Sequence, residues 1–485
     1  MPQDDPGFRG VYHRAGRRPD PVAPSGLRVP GLGATVIAAA LSAILATAAI
    51  AALGGEEPRQ VSRERTLCTG RPDTPWDRQI SSCTAVIQSD RETEMNRAIA
   101  YNNRAIAYFG KTDYDRAVAD YDQAVRLDPD YAFAYYNRGN AYQAKGDHDR
   151  AILDYDKALA LQPNMSAAIY NRGNAYRAKG QIDRAIADYD EALRLYPQYF
   201  QTYGNRGIAY FAKKEFDRAI ADYDEALRLN PNYANAYGNR GLAYAAKGDF
   251  DRAIADYDQA LRIRPGAIDF NNRGLAYHAK KDFDRAIADY DAALRLDPKH
   301  VSAYSNRSDA YRVKGDGARA LADLDQAIML DPTYAPGYFA RGRTHFAAGA
   351  LIKAQSDLKR ARELEPDDPY YALWLDLAER RLHVASGLAD AAPRFDMAIW
   401  PGPVVRLLLG ETTPAALLAT TDDPDPNRQR GKLCEADFFS GEVALRDGAD
   451  QEAARLFRRA VEDCVQTFFE TTAAKAELKA LGVAP

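Results

Sequence analysis

Eight arginines recur along this chain at an almost constant spacing, and seven of them directly follow an asparagine. The arginines are Arg104, Arg138, Arg172, Arg206, Arg240, Arg273, Arg307 and Arg341. An aspartate follows each of them sixteen residues later, at Asp120, Asp154, Asp188, Asp222, Asp256, Asp289, Asp323 and Asp357. A guanidinium binds phosphate and carboxylate groups through a fork of parallel hydrogen bonds. The row of arginines could therefore form a strip for anionic ligands, or it could pair with the protein's own carboxylates.

The elements that carry these residues repeat with a fixed period. Prolines fall at 129, 163, 197, 231, 265, 298, 332 and 366, which is a step of 34 residues with one step of 33. Each unit reads approximately YxNRGxAYxxKGDxDRAIADYDxALRLxP. A period of this length is typical of a solenoid in which each unit is a helix hairpin. No unit can bury its apolar face alone, so stability comes from stacking.

The residue types that recur from unit to unit resemble the pattern of the tetratricopeptide repeat. They run aromatic, glycine, tyrosine, alanine, aromatic, alanine and proline, at Tyr135, Gly139, Tyr142, Ala151, Tyr155, Ala158 and Pro163. The resemblance implies an all-α, right-handed solenoid with eight repeats over residues 98–368. It also implies a concave surface that binds other proteins or peptides.

Folding each unit at its central turn predicts where the recurring charges meet. The arginine and the aspartate lie at about equal distances from the turn, so we interpret them as ion pairs across the hairpin, for example Arg172 with Asp188 and Arg138 with Asp154. The anion strip remains the alternative.

Glycines at the turn, among them Gly146 and Gly180, suit a left-handed helix C-cap. Aspartates in the next helix are predicted N-caps, namely Asp149, Asp183 and Asp251.

The asparagine before each arginine is the stronger candidate for binding. The row comprises Asn103, Asn137, Asn171, Asn205, Asn239, Asn272 and Asn306, and Asn140 and Asn174 extend it by one turn. By resemblance this position lies on the concave surface, where carboxamides can pair with an extended peptide backbone. The alternative is that each amide bonds a neighbouring helix. The family's clamp for acidic C-termini needs lysines where Phe133, Tyr136 and Tyr170 stand, so that ligand is not expected.

One apolar run precedes the repeats, from Ala34 to Leu53. About twenty helical residues span a bilayer, and five arginines in the leader place the N-terminus in the cytoplasm. We predict a cytoplasmic tail (1–30), a transmembrane helix (31–54) and an exported linker with a leading helix (55–97). The protein would then be a single-pass inner-membrane protein with periplasmic repeats. The alternative is a cleaved signal peptide that releases the protein into the periplasm.

The four cysteines agree with export. Cys68 and Cys83 close a short loop, and Cys434 and Cys464 lie 30 residues apart in a hairpin pattern. Two pairs in an oxidising compartment predict two disulfides. A zinc site would need closer spacing or histidine neighbours, so no metal is expected.

Residues 369–485 form a helical C-terminal region in this prediction. YYALWLDLAERRL (370–382) would cover the open end of the array, and residues 438–464 resemble a ninth, degenerate repeat that Cys434 begins and Cys464 ends. With the LLLG helix, these stretches resemble the end of the NlpI-like tetratricopeptide lipoproteins. That resemblance implies docking of periplasmic proteases or peptidoglycan hydrolases, and it allows for a homodimer. The family's lipid-bearing cysteine is missing here.

Composition and motifs exclude several classes of protein. Net charge is −4 and acidic and basic residues alternate, so nucleic acid is not an expected partner. The chain has no P-loop, GxSxG or HExxH motif. We therefore predict a non-enzymatic scaffold of the bacterial envelope that needs no cofactor. The alternative is an assembly factor of a membrane complex for polysaccharide export or secretion.

Overall fold

The structure is a computed structural model that describes residues 59–70, 74–464 and 468–484, and these residues are α-helical with no β-strand. The predicted cytoplasmic tail and membrane span lie outside the described residues. None of the helices in the described ranges combines the length and the apolar composition needed to cross a bilayer. The chain divides between Ala243 and Tyr244 into two compact units.

The first unit contains two leading helices and the first repeats. Its helices are α1 (Arg59–Cys68), α2 (Trp76–Gln88), α3 (Glu94–Gly110), α4 (Tyr114–Leu127), α5 (Ala132–Ala144), α6 (His148–Leu161), α7 (Ser166–Ala178), α8 (Ile182–Leu195), α9 (Phe200–Ala212), α10 (Phe216–Leu229) and most of α11 (Ala234–Ala246). From α3 onward, consecutive helices pair as hairpins, one to a repeat. A disulfide between Cys68 and Cys83 joins α1 to α2.

The second unit contains the remaining repeats and the C-terminal region. Its helices are α12 (Phe250–Ile263), α13 (Ala267–Ala279), α14 (Phe283–Leu296), α15 (Val301–Val313), α16 (Gly317–Leu330), α17 (Ala335–Ala347), α18 (Leu351–Leu364), α19 (Pro369–Arg381), α20 (Leu388–Ala391), α21 (Gly402–Leu409), α22 (Pro414–Leu418), α23 (Pro426–Arg446), α24 (Asp450–Asp463) and α25 (Phe469–Ala480). The pairs α13/α14, α15/α16 and α17/α18 are the sixth to eighth repeats.

In the second, third, fourth and sixth repeats, the hairpin closes around a glycine of its first helix and a tyrosine ring of its second helix. A Cβ on Gly173 would lie 2.9 Å from the Tyr189 ring, and one on Gly207 would lie 2.6 Å from the Tyr223 ring. Both tyrosines are fully buried. The absence of a side chain at the glycine is what lets the two helices approach around the ring. A larger residue at this position would push the hairpin apart.

The turns between paired helices follow the sequence pattern, but the N-caps do not. Gly146 and Gly180 adopt φ of 77° and 72°, the left-handed conformation that ends a helix. The cap of α6 is Asp147, whose carboxylate accepts from the backbone N–H of Arg150 at 3.1 Å. The prediction of Asp149, Asp183 and Asp251 as caps is therefore wrong, because the helices begin two residues earlier. These aspartates instead bind lysines of the following repeat, as Asp183 does with Lys213.

The C-terminal region has its own core, centred on Trp374 of α19. Its indole is fully buried and contacts the rings of Phe346, Phe438 and Phe469. The hairpin α23/α24 packs like a repeat, since a Cβ on Gly441 would lie 2.6 Å from the ring of Phe457.

The second disulfide joins Cys434 to Cys464 across this hairpin. Cys464 ends α24, as predicted. Cys434 lies inside α23 and does not begin it, because Asp425 caps that helix and Pro426 occupies its first turn. The first helix of the hairpin is therefore longer than the sequence pattern indicated.

Candidate functional site

Most of the recurring arginines lie between two carboxylates, whereas Arg104 of the first repeat binds Asp120 and the hydroxyl of Thr84. Arg172 donates from Nε and Nη2 to Asp188 at 2.9 and 2.7 Å, and from Nη1 to Asp156 of the preceding repeat at 2.6 Å. The bidentate bond to the aspartate of the same repeat is also made by Arg104, Arg138, Arg206, Arg273, Arg307 and Arg341. The bond to the preceding repeat recurs at Arg138, Arg206, Arg240, Arg273, Arg307 and Arg341.

Charge and burial around these arginines argue against an anion strip. The side chain of Arg172 is 24% exposed and that of Asp188 is 10% exposed. The hydrogen bond to Asp188 raises the pKa of Arg172, whereas burial raises the pKa of Asp188 against the pull of Arg172. The arginine's positive charge is thus already compensated by two carboxylates. The arrangement ties each hairpin together and ties it to the hairpin before it.

The asparagine row donates mainly to the preceding repeat. Asn171 Nδ2 donates to Asn140 Oδ1 at 2.8 Å and to the Tyr136 hydroxyl at 3.2 Å. The same inter-repeat bond is made by Asn205 to Asn174 and Tyr170, by Asn137 to Asn102, and by Asn306 to Asn271. Asn103 is half-buried and accepts from Asn102.

These contacts favour the alternative in which the amide bonds a neighbouring helix. Bidentate pairing with a peptide backbone needs both amide atoms, and the Nδ2 of Asn171 is already engaged. Asn205, Asn239 and Asn272 are buried, at 2%, 2% and 7% exposure. Peptide binding by the row stays a prediction, and within it only the half-buried members, such as Asn171, keep a carbonyl oxygen for a ligand N–H.

Asn140 and Asn174 are junctions between three helices. Asn174 Oδ1 accepts from Asn205 of the next repeat at 2.8 Å and from the Tyr189 hydroxyl of its own second helix at 2.7 Å. In the fourth repeat Ile208 stands at this position, and the buried Tyr223 hydroxyl has no hydrogen-bond partner among the described residues. The two repeats therefore form a natural comparison.

We expect Tyr189→Phe to lower the free energy of unfolding by about 1 kcal/mol, since it removes a made hydrogen bond. Tyr223→Phe is the matched control: it removes an unpaired buried hydroxyl and should be neutral or stabilising. Chemical denaturation of both variants checks this. Equal losses in the two variants would contradict the assignment of Asn174 as a junction.

In the second unit, α25 packs against α17 of the eighth repeat. Arg312 Nη1 donates to Thr472 Oγ1 at 2.9 Å. The Phe469 ring lies 5.2 Å from the Arg312 guanidinium, 4.5 Å from that of Arg343 and 5.2 Å from the Trp374 ring. The first helices of the last two repeats thus hold a segment of the chain itself.

The charged side chains at this surface range from buried, at Glu470, to 38% exposed, at Asp309, and they are unevenly paired. Burial lowers the pKa of Arg343 to about 10 and raises the pKa of Glu470. Burial alone would raise the pKa of Asp309, but Arg312 and His278 lower it below its ordinary value. Asp309 accepts from Arg312 Nε at 2.9 Å and lies 3.1 Å from His278 Nε2.

Sequence reasoning did not identify this surface, although a signal was present. Two residues after the recurring arginine stand Asn140 and Asn174 in early repeats, and Ile208 in the fourth. In the last two repeats the same position carries charge, as Asp309 and Arg343. A departure of this kind from an otherwise uniform pattern indicates a special contact.

Three family models match the repeat region. Two are described as tetratricopeptide repeat, one at residues 170–234 and 205–268 and the other at 132–165 and 267–300; a third, described as TPR repeat, matches 107–146. The chain contains tetratricopeptide repeats. The likeness of its tail to NlpI-like lipoproteins stays a prediction.

Several solved tetratricopeptide structures are similar to parts of the chain. A tetratricopeptide repeat protein from Parabacteroides merdae is 23% identical and covers 51% of this chain and 98% of its own, with a TM-score of 0.43. YrrB, described as a TPR protein with an unusual peptide-binding site, is 27% identical over 38% of this chain and 95% of its own, with a TM-score of 0.33. MamA is 28% identical over 33% and 93%, with a TM-score of 0.32.

Beyond the tetratricopeptide repeats, an ion network joins three helices of the C-terminal region. Arg381 of α19 donates to Glu442 of α23 at 2.8 Å and lies 2.9 Å from Glu477 of α25, beside a cavity of about 460 Å³. Burial, helped by the charge of Glu477, raises the pKa of Glu442 to about 7 against the pull of Arg381. Within the described ranges no group of histidines, cysteines or carboxylates could hold a metal ion.

This raised pKa predicts a pH dependence of stability. Between about pH 4.5 and pH 7 the folded chain keeps a proton on Glu442 that the unfolded chain has released, so stability falls as pH rises, by at most ~1.4 kcal/mol per pH unit. Glu442→Gln should flatten that slope, and the exposed Glu411→Gln should leave it unchanged. Denaturant unfolding across this pH range measures both slopes. An unaltered slope in Glu442→Gln would contradict the assignment.

Proposed function

We propose that this protein is a non-enzymatic scaffold that binds partner proteins or peptide segments on the first helices of its repeats. The observation that carries the proposal is the seating of α25 on those helices in the seventh and eighth repeats. There a segment of the chain itself contacts Arg312 and Arg343, which lie three to six residues beyond the asparagine position of their repeats. Protein–protein interaction is also the general role of tetratricopeptide repeats.

Within the first unit, the first helices of the early repeats carry the asparagine row. Asn171 is half-buried, and its Oδ1 accepts no hydrogen bond from the described part of the chain. A carbonyl oxygen of this kind can accept a backbone N–H whatever the partner's sequence, which suits recognition of extended segments. Specificity would then come from neighbouring side chains.

We further propose that the scaffold works in the bacterial envelope, anchored in the inner membrane, with periplasmic proteases or peptidoglycan hydrolases as candidate partners. The apolar run at 34–53, the arginine-rich leader and the two disulfides support this placement. An alkaline phosphatase fusion after residue 97 tests it. High activity in cells supports export, and an inactive fusion would overturn it.

Site-specific photo-crosslinking in cells tests the binding face. Ala144 lies one turn beyond Asn140 on the same face of α5, and Leu153 of α6 is 67% exposed on the other helix of the same repeat. A photo-reactive residue at Ala144 should give discrete protein adducts, and one at Leu153 should give few. Equal labelling from both positions, or none from Ala144, would count against the proposal.

A further inference from the structure

We propose that the surface under α25 is a docking site for a partner segment that presents an aromatic residue followed by a carboxylate, and that α25 is its exchangeable resident. We call this surface the terminal-helix slot, formed by Arg312, Phe339, Arg343 and Trp374. The inference rests on the proposed scaffold function and adds the chemistry of the ligand. It is carried by the contacts that the chain's own segment makes there.

The aromatic residue is selected by the walls of the terminal-helix slot. The Phe469 ring meets the Trp374 ring edge to face, with centroids 5.2 Å apart. Arg343 lies 4.1 Å from the Phe339 ring and 4.5 Å from the Phe469 ring, so its guanidinium is held between two aromatic faces. An aliphatic side chain would fill the volume and would forgo the cation–π attraction.

The carboxylate is selected by charge. Arg312 and Arg343 both attract Glu470, whose side chain is buried beside them. Arg343 Nε is buried without a hydrogen-bond partner in the described part of the chain. A segment that placed its carboxylate within hydrogen-bond distance of Arg343 Nε would satisfy this buried donor, which α25 leaves unpaired.

The resident helix is also suited to exchange. It has twelve residues, and a helix of that length is marginal in water without tertiary contacts. Its attachment to the chain keeps it near the terminal-helix slot at an effective concentration in the millimolar range. A free segment therefore has to compete with α25, and loosening α25 should raise the apparent affinity for that segment.

A competition experiment on the full-length chain tests this. The probe is a fluorescent peptide with the sequence of residues 468–484, FFETTAAKAELKALGVA. Phe469→Ala removes the anchor of the resident helix and leaves the terminal-helix slot intact, so we expect it to bind the probe at least tenfold more tightly than the unaltered chain. Lys475→Ala, an exposed change in the same helix, is the control and should bind as the unaltered chain does.

Two further arms guard against misfolding and against nonspecific binding. Thr472→Val removes only the hydroxyl that accepts from Arg312 Nη1, and it should tighten probe binding about threefold, so the proposal stays testable if Phe469→Ala does not fold. A probe with alanine for Phe469 and glutamine for Glu470 should lose at least tenfold in affinity. Adding Arg343→Gln to Phe469→Ala should have a similar effect.

The outcomes separate this inference from the scaffold function. Two results would contradict the proposal that α25 exchanges with a partner segment. One is equal probe affinity in the unaltered, Phe469→Ala and Thr472→Val chains. The other is probe binding that does not depend on the aromatic residue and the carboxylate. Photo-adducts at Ala144 with such a result would leave the scaffold standing and remove only the terminal-helix slot. Tight, pair-dependent binding without adducts at Ala144 would support the slot and refute binding on the asparagine face.

Discussion

Replacing Arg172 with leucine is expected to lower the free energy of unfolding by about 3–5 kcal/mol, because it leaves the buried carboxylate of Asp188 without its partner. The change also releases Asp156 of the preceding repeat, so both the hairpin and its stacking are weakened. In an array of this kind the loss spreads to neighbours. Denaturant unfolding of the full chain measures the loss of stability. Hydrogen exchange of α7 and α8 shows whether the loss is centred on this hairpin.

A double-mutant cycle decides whether the arginine acts through this pair. Arg172→Leu and Asp188→Leu should each destabilise, and the double variant should lose much less than the sum. Arg194→Leu is the control, since Arg194 forms an exposed pair with Glu191 and should cost under about 0.5 kcal/mol. Additive losses in the free energy of unfolding would contradict the structural role of the pair and would favour the alternative that the arginines bind anionic ligands.

Removing the Cys434–Cys464 disulfide is expected to destabilise the C-terminal hairpin by about 3–4 kcal/mol in the chain-entropy model for a loop of this length. The bond joins two buried cysteines 30 residues apart, one inside α23 and one at the end of α24, in the hairpin that packs against Trp374. A variant with serine at both cysteines should show faster hydrogen exchange in α23 and α24. The same treatment of Cys68 and Cys83 should affect only α1 and α2.

The outcome of this pair of variants is informative in either direction. Unchanged exchange in α23 and α24 would show that the aromatic core holds the hairpin without the bond. Faster hydrogen exchange confined to α23 and α24 in one variant, and to α1 and α2 in the other, would show that the two disulfides act locally. That result would fit an array in which each unit contacts only its neighbours.

Much of the fold was predictable because the repeat imposes the same local choices many times. The period located the helix pairs, the turn glycines located their junctions, and equal distances from the turn located the Arg172–Asp188 pair. The cap position was missed because two aspartates, Asp147 and Asp149, lie near the start of the helix. Sequence alone does not decide between adjacent candidates.

The contacts between repeats were the harder part. Nothing in the spacing shows that Arg172 reaches back to Asp156, or that Asn171 donates to Asn140. Both bonds depend on how one hairpin rotates against the next. The sequence left two alternatives for the asparagine row, a peptide-binding ladder and bonds to a neighbouring helix, and stacking engages the amide protons of Asn171 and Asn205.

The sequence by itself determined the helices, the hairpins and the ion pair within each of them, because these depend on residues at most half a repeat apart. Tertiary structure alone decided what the repeated side chains are free to do. Packing between hairpins commits the arginines and many of the asparagines to their neighbours. α25 lies more than 100 residues further along the chain and packs against the seventh and eighth repeats, where Asp309 and Arg343 depart from the repeat pattern. Such long-range docking depends on shape and buried charge, which no local pattern encodes.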